Sequence, residues 1–139
     1  THILEVQPSA RRAGLNALAA RQAHPAAAPL DVDGNYFALG VPGAHDKEHA
    51  PRPTAFVDVF RVLASFALDP KLARKALRAA HVGPLTIKKR GLELSSEQIA
   101  AKLNYKPAAD APAGLLIAAP TPTGRRLFLV ERLAPYSPS

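Results

Sequence analysis

Lys88-Lys89-Arg90-Gly91 puts three consecutive cations beside a glycine. Along a strand successive side chains alternate, so Lys88 and Arg90 share one face and Lys89 takes the other. Gly91 has no Cβ, which lets the backbone turn tightly and approach a ligand closely. Cations so placed can neutralise phosphates, and a guanidinium can also bridge two phosphate oxygens or stack on a base. A purely structural alternative stands beside this: Lys88 or Arg90 pairs with an acid such as Glu93, and Gly91 only ends a strand.

Lys71, Lys75 and Arg78, with Arg74 beside them, are three or four residues apart and would line one exposed side of a helix. That side is either part of one electropositive surface with the Lys-Lys-Arg turn or an ordinary solvated face. Tyr36 and Tyr105 are the aromatic candidates for base stacking. Tyr105 is favoured because Lys102 and Lys106 flank it, the alternative being a partly buried tyrosine. His45-Asp46-Lys47-Glu48-His49 formally matches H-x-x-E-H, a zinc signature that needs both histidines on one face of a rigid helix. Pro42-Gly43 before it and Pro51-Arg52-Pro53 after it disfavour such a helix. His45 and His49 are therefore weak metal candidates in a charged, mobile loop. No catalytic residue emerges: Ser95, Ser96 and Asp69 read as helix-cap residues, Asp58 lies in a strand, and Asp31 and Asp33 flank a turn.

The charge is localised. The chain has 139 residues, 18 Lys+Arg and 11 Asp+Glu, for a net charge of +7. Residues 61–106 hold ten basic and three acidic side chains, a balance of +7, while the remaining residues hold eight of each sign. A basic excess confined to one third of a chain suggests a polyanionic partner, most commonly nucleic acid. The absence of cysteine excludes disulfides, thiolate zinc sites and cysteine nucleophiles. No apolar run is long enough to cross a membrane as a helix. The eight glycines never form G-x-G-x-x-G, so the chain has no dinucleotide-type phosphate loop of its own. The start at Thr1, without an initiator Met or a signal peptide, suggests a fragment or a processed form in the cytoplasm.

The elements that must position these groups follow from periodicity and punctuation. Ile3–Val6 is a short strand, and Pro8 opens a helix to about Gln22 with Leu15, Leu18 and Ala19 on one face. Residues 24–30 connect to a strand at 35–39, and residues 41–53 form a long loop. Phe56–Phe66 is a strand with two partly apolar faces, hence central. Asp69-Pro70 starts a helix to about Ala80, with Leu72, Ala73, Ala76, Leu77 and Ala80 as its buried stripe. Leu85–Gly91 is a strand running into the basic turn. Ser95 with Gln98 forms a capping box for a helix burying Ile99, Ala100 and Leu103. Leu115–Ala119 and Leu127–Glu131 make a hairpin. The expected fold is mixed α/β (α+β), about five to six strands in a mixed sheet with three helices packed against it.

The helix, the strand Gly83-x-Leu85-x-Ile87-Lys88-Lys89-Arg90-Gly91 and the capped helix ending Lys102-Leu103 resemble the THUMP-like domain at the C-terminus of a bacterial family of class I S-adenosylmethionine-dependent methyltransferases. Leu4-Glu5-Val6-Gln7-Pro8, Tyr36-Phe37-Ala38-Leu39-Gly40 and Phe128-Leu129-Val130 extend the resemblance over about residues 3–133. The 41–53 loop looks longer than the family's. The resemblance implies a strand–helix segment at 1–54 following a methyltransferase domain, a THUMP-like domain at 55–134 and a frayed tail at 135–139. It further implies a non-catalytic module that holds structured RNA (tRNA or rRNA) for an upstream methyltransferase domain. S-adenosylmethionine would belong to that missing domain. Candidate RNA contacts are Lys71, Lys75, Arg78, Lys88, Lys89, Arg90, Gly91, Lys102 and Tyr105. The competing reading is an interaction module that packs on the methyltransferase domain or mediates oligomerisation without touching RNA. Exposed apolar residues on Ile3–Val6 or on the 115–131 hairpin would mark it.

Overall fold

A computed structural model describes residues 2–30, 34, 36–39, 51–89, 91–122 and 124–134. His45, His49, Asp31, Asp33, Arg90, most of the 41–53 loop and the tail from Pro135 lie outside the described residues. The chain divides into two compact units, residues 1–62 with 132–139 and residues 63–131.

In the first unit, β1 (His2–Val6) has two antiparallel neighbours, β3 (Tyr36–Leu39) and β4 (Val57–Ala67). A two-residue strand, β2 (Ala28–Pro29), pairs with the outer side of β3. Flanked on both sides, β1 is buried along its whole length, including His2 and Glu5. Leu4 and Val6 pack with Phe37, Val57 and Val59 against alanines of α1 (Pro8–Arg12) and α2 (Asn16–Ala23).

The single helix expected from Pro8 to Gln22 is thus two. Gly14 has φ +71°, the left-handed region that favours glycine. Its N–H donates to the Arg11 carbonyl and the Leu15 N–H to the Ala10 carbonyl, the paired bonds of a Schellman stop. The stop resets the helical register. Ala19, Ala20 and Ala23 are buried in the core, and Leu15 and Leu18, expected on one face with Ala19, are left 48% and 56% exposed.

In the second unit the strand order is β4, β7 (Gly124–Arg132), β6 (Gly114–Thr121), β5 (Leu85–Lys89). β6 and β7 form the expected antiparallel hairpin. β5 runs parallel to β6, with Ile87 opposite Leu116. A parallel pair needs a long crossover, and α4 (Ser96–Leu103) lies within it. Before β5 comes α3 (Pro70–Ala79). Leu77 and Ala73 of α3, Ile99 and Leu103 of α4, and Leu116, Ala118, Leu127 and Leu129 of the strands build the core of this unit.

β4 contributes apolar residues to each unit. Val57 and Val59, in its first half, belong to the core of the first unit, and Ala64 and Phe66, in its second half, to that of the second.

Both helix starts of the second unit follow the sequence signals. Asp69 Oδ1 accepts from the Leu72 N–H at 3.0 Å. Ser95 Oγ accepts from the Gln98 N–H at 3.1 Å while Gln98 Oε1 accepts from the Ser95 N–H at 2.8 Å, a complete capping box. The buried stripes are narrower than expected. Leu72 of the first helix, Ala80 just past its end and Ala100 of the second are exposed, while Ala73, Leu77, Ile99 and Leu103 are buried. The fold is mixed α/β with seven strands and four helices among the described residues, against five to six and three expected. The additions are β2 and the helix divided at Gly14.

Candidate nucleic-acid interface

α3 carries its cations as the sequence implies. Lys71, Lys75 and Arg78 are exposed, and Arg74, one turn before Arg78, is half-buried. The Arg74 guanidinium donates from Nη1 to the Leu103 carbonyl at 2.9 Å, which ties α3 to the last turn of α4. Immediately after α4, Asn104 adopts a left-handed conformation at φ +45°, and Lys106 follows two residues later. Arg74, Arg78, Asn104 and Lys106 line an open groove of about 430 Å³. Lys102, on the exposed side of α4, is not among its lining residues.

The β5 lysines sit differently. Leu85 and Ile87 pack on the core beneath α3 and α4, so the pleat puts Lys89 on that face and Thr86 and Lys88 on the opposite one. Both lysines are half-buried, and Lys89 Nζ donates to the Leu92 carbonyl at 3.3 Å. Lys88 also has a partner within the chain. Gly91 has φ +70°, the left-handed turn that a glycine after the strand allows. Lys88 therefore does not share a face with the cations of α3, contrary to the single patch that the sequence suggests.

The tyrosines are taken up by the fold. Tyr36 is fully buried in β3 and offers no face to a base. Tyr105 packs against the second core, and its hydroxyl donates to the Val82 carbonyl at 2.5 Å. Asp58 accepts from Gln7 Nε2 and from Arg132 Nη2, the latter at 2.9 Å. Among the described residues no group of three or more His, Asp or Glu side chains could hold a metal ion. No helix of the described residues is long and apolar enough to cross a membrane.

Sequence reasoning gave Arg74 and Lys106 little weight and passed over Asn104. The Arg74–Arg78 spacing of four was the available signal. The approach of residues 104–106 to α3 had none, because it depends on how two helices pack.

A family model described as "THUMP domain-like" matches residues 57–132, more than half of the chain. The chain belongs to the THUMP domain-like family. The matched span takes in β4 to β7 and every cation of the groove. Among solved structures, the crystal structure of a candidate methyltransferase from Porphyromonas gingivalis W83 has the same fold, with a TM-score of 0.63 and 13% identity over 96% of this chain. The chain spans 29% of that protein's length. The crystal structure of TrmN from Thermus thermophilus is more distant, at a TM-score of 0.43 and 14% identity over 96% of this chain and 45% of its own. No curated protein matches the sequence.

Proposed function

We propose that this chain is a non-catalytic RNA-binding domain that positions structured RNA, tRNA or rRNA, for a methyltransferase domain elsewhere in the same protein. The observation that carries the reading is the exposed cationic side of α3 within a THUMP domain-like module, with Lys106 lining the same groove as Arg74 and Arg78. S-adenosylmethionine would serve as methyl donor in the methyltransferase domain, since the chain has no glycine-rich phosphate loop to hold it. The likeness in fold to a candidate methyltransferase more than three times as long supports this division of labour. The test is binding of the chain to a labelled tRNA transcript across a salt series. Affinity falling steeply with salt, as expected when side chains displace counterions from phosphates, supports the proposal. No binding at low salt refutes it.

A second reading, a protein-interaction module, has one observation in its favour. The predicted markers do not support it: Ile3–Val6 is buried, and so are Leu116, Ile117, Leu127, Leu129 and Val130 of the hairpin. In the first unit, however, Leu15, Leu18 and Phe56 are about half exposed around one small apolar depression. A face of that kind suits contact with another protein surface. Dimerisation of the chain, abolished by Leu18→Glu, would favour this reading over RNA binding.

A further inference from the structure

The α3 cations and the segment after α4 do more than share a sign. Arg74 and Arg78 lie one helical turn apart on α3, on the same side. Lys106 reaches the same groove from residues almost thirty positions later, and Asn104 adds an amide between them. None of Arg74, Arg78 and Lys106 has an acidic partner among the described residues.

Cations at this place have one structural use, which is to offset the carbonyl ends of helices. Arg78 lies in the last turn of α3, and Arg74 meets the last carbonyl of α4. Each helix end carries about half a negative charge, so two ends offset about one of the three cations. About two positive charges remain unmatched in one concave site. Arg74 is also held in place by its bond to Leu103, which lowers the entropy lost on capturing a ligand. Asn104 stands in a left-handed conformation uncommon for a residue with a side chain, though most tolerated in Asn, and it is one of the residues lining the groove.

We infer that the groove lined by Arg74, Arg78, Asn104 and Lys106 is a binding site for the RNA sugar–phosphate backbone, and that this groove, rather than the Lys88-Lys89 strand, sets the affinity. This rests on the RNA-binding reading and assigns its site. Arg78 and Lys106 supply charge to adjacent phosphates, with the Arg78 guanidinium able to hold two oxygens of one phosphate. Asn104 can donate to a phosphate or pair with a ribose hydroxyl. Lys88 lies on the far face of β5 and Lys89 is engaged with Leu92, so neither joins this set.

The experiment compares the chain with two double variants, Arg78→Gln/Lys106→Gln and Lys88→Gln/Lys89→Gln, using a labelled tRNA transcript at several salt concentrations. Arg74 is left intact because it also bonds α4. Arg78 and Lys106 are exposed, so a thermal melt close to that of the parent is expected of the first variant. The inference requires the groove variant to lose roughly tenfold or more in affinity at about 0.1 M salt, with the slope of log affinity against log salt shallower by about 1.5 to 2. The strand variant should keep both quantities near the parent values. Loss confined to the strand variant, or equal loss in both, overturns the groove assignment while RNA binding by the domain stands. Absence of tRNA binding by the parent chain overturns the RNA reading itself, and the groove with it. Should the groove variant melt early, Lys106→Gln alone, outside any helix, must still show a slope reduced by about 1, or the assignment fails.

Discussion

The Arg74 guanidinium donates to the carbonyl oxygen of Leu103 across 2.9 Å, so a cation from α3 closes the final turn of α4. The last carbonyls of a helix lack partners within it, and a cation there also meets the negative end of the helix dipole. The bond joins residues 29 positions apart in sequence, and Arg74 lines the cationic groove.

Arg74→Gln is therefore expected to destabilise the chain where Arg78→Gln does not. A bond to a charged donor, half exposed as here, is worth about 1 kcal/mol, and exposed substitutions fall within about 0.5 kcal/mol of neutral. Urea denaturation of the two single variants measures the difference. Equal midpoints would show that the Arg74–Leu103 bond contributes nothing to stability.

The capping box at Ser95 and Gln98 gives a second expectation. Ser95→Ala removes one half of the reciprocal pair and should cost about 1 kcal/mol. It should leave RNA affinity unchanged, because the start of α4 is the opposite end from the groove. Thermal melts alongside tRNA titrations check both halves.

These caps were legible in the sequence because capping is local: Asp69, and Ser95 with Gln98, satisfy backbone groups three residues away. The strand cores were legible for the same reason, since alternation along β4 and helical spacing at Ala73, Leu77, Ile99 and Leu103 follow from geometry within one element. Gly14 was also local evidence, and an Arg-Arg-Ala-Gly end is a recognisable helix stop; reading through it gave one helix where there are two. β2 had no signal of its own, because two residues become a strand only when β3 offers them partners. The groove was the least legible feature. Its cations were visible as a charge excess, but the convergence of Arg78 with Lys106 depends on the packing of α3 against α4. The alternation that puts Lys88 and Lys89 on opposite faces was read correctly. Which face the helices cover was not written in those five residues.

Two glycines separate conformational cost from steric cost. A Cβ added at Gly14 meets nothing within 4 Å, so Gly14→Ala suffers only from the positive φ, at about 1 kcal/mol. At Gly83 a Cβ would come within 2.3 Å of the Ala111 carbonyl oxygen and 2.9 Å of that of Pro112. Both are backbone atoms, and the Gly83 N–H already donates to the Pro112 oxygen at 2.8 Å, so neither can move aside without breaking that bond. Gly83→Ala should cost about 2 kcal/mol or more. Chemical denaturation should rank it clearly below Gly14→Ala in stability, and the reverse order would contradict the close approach of residues 83 and 111.

Tyr105 carries the last expectation, since its sequence neighbours Lys102 and Lys106 favour a base-stacking role and its surroundings favour a structural one. Its ring packs on the second core, and its hydroxyl reaches the Val82 carbonyl from 23 residues away. Val82 is itself buried and ends the turn between α3 and β5, and its carbonyl also accepts from the Ala108 N–H at 3.0 Å. Removing the hydroxyl leaves that carbonyl one partner and keeps the ring in place. Tyr105→Phe should therefore lose about 1 kcal/mol of stability, the usual net contribution of one hydrogen bond. A stacking role depends on the ring face, which Phe retains, so the informative companion is Tyr105→Leu. A stacked base is worth about 1–3 kcal/mol of affinity. If the ring is structural, Tyr105→Leu lowers the melting temperature and leaves tRNA affinity in the folded range near that of the parent. A large loss of affinity in a variant that melts normally would return Tyr105 to the RNA interface.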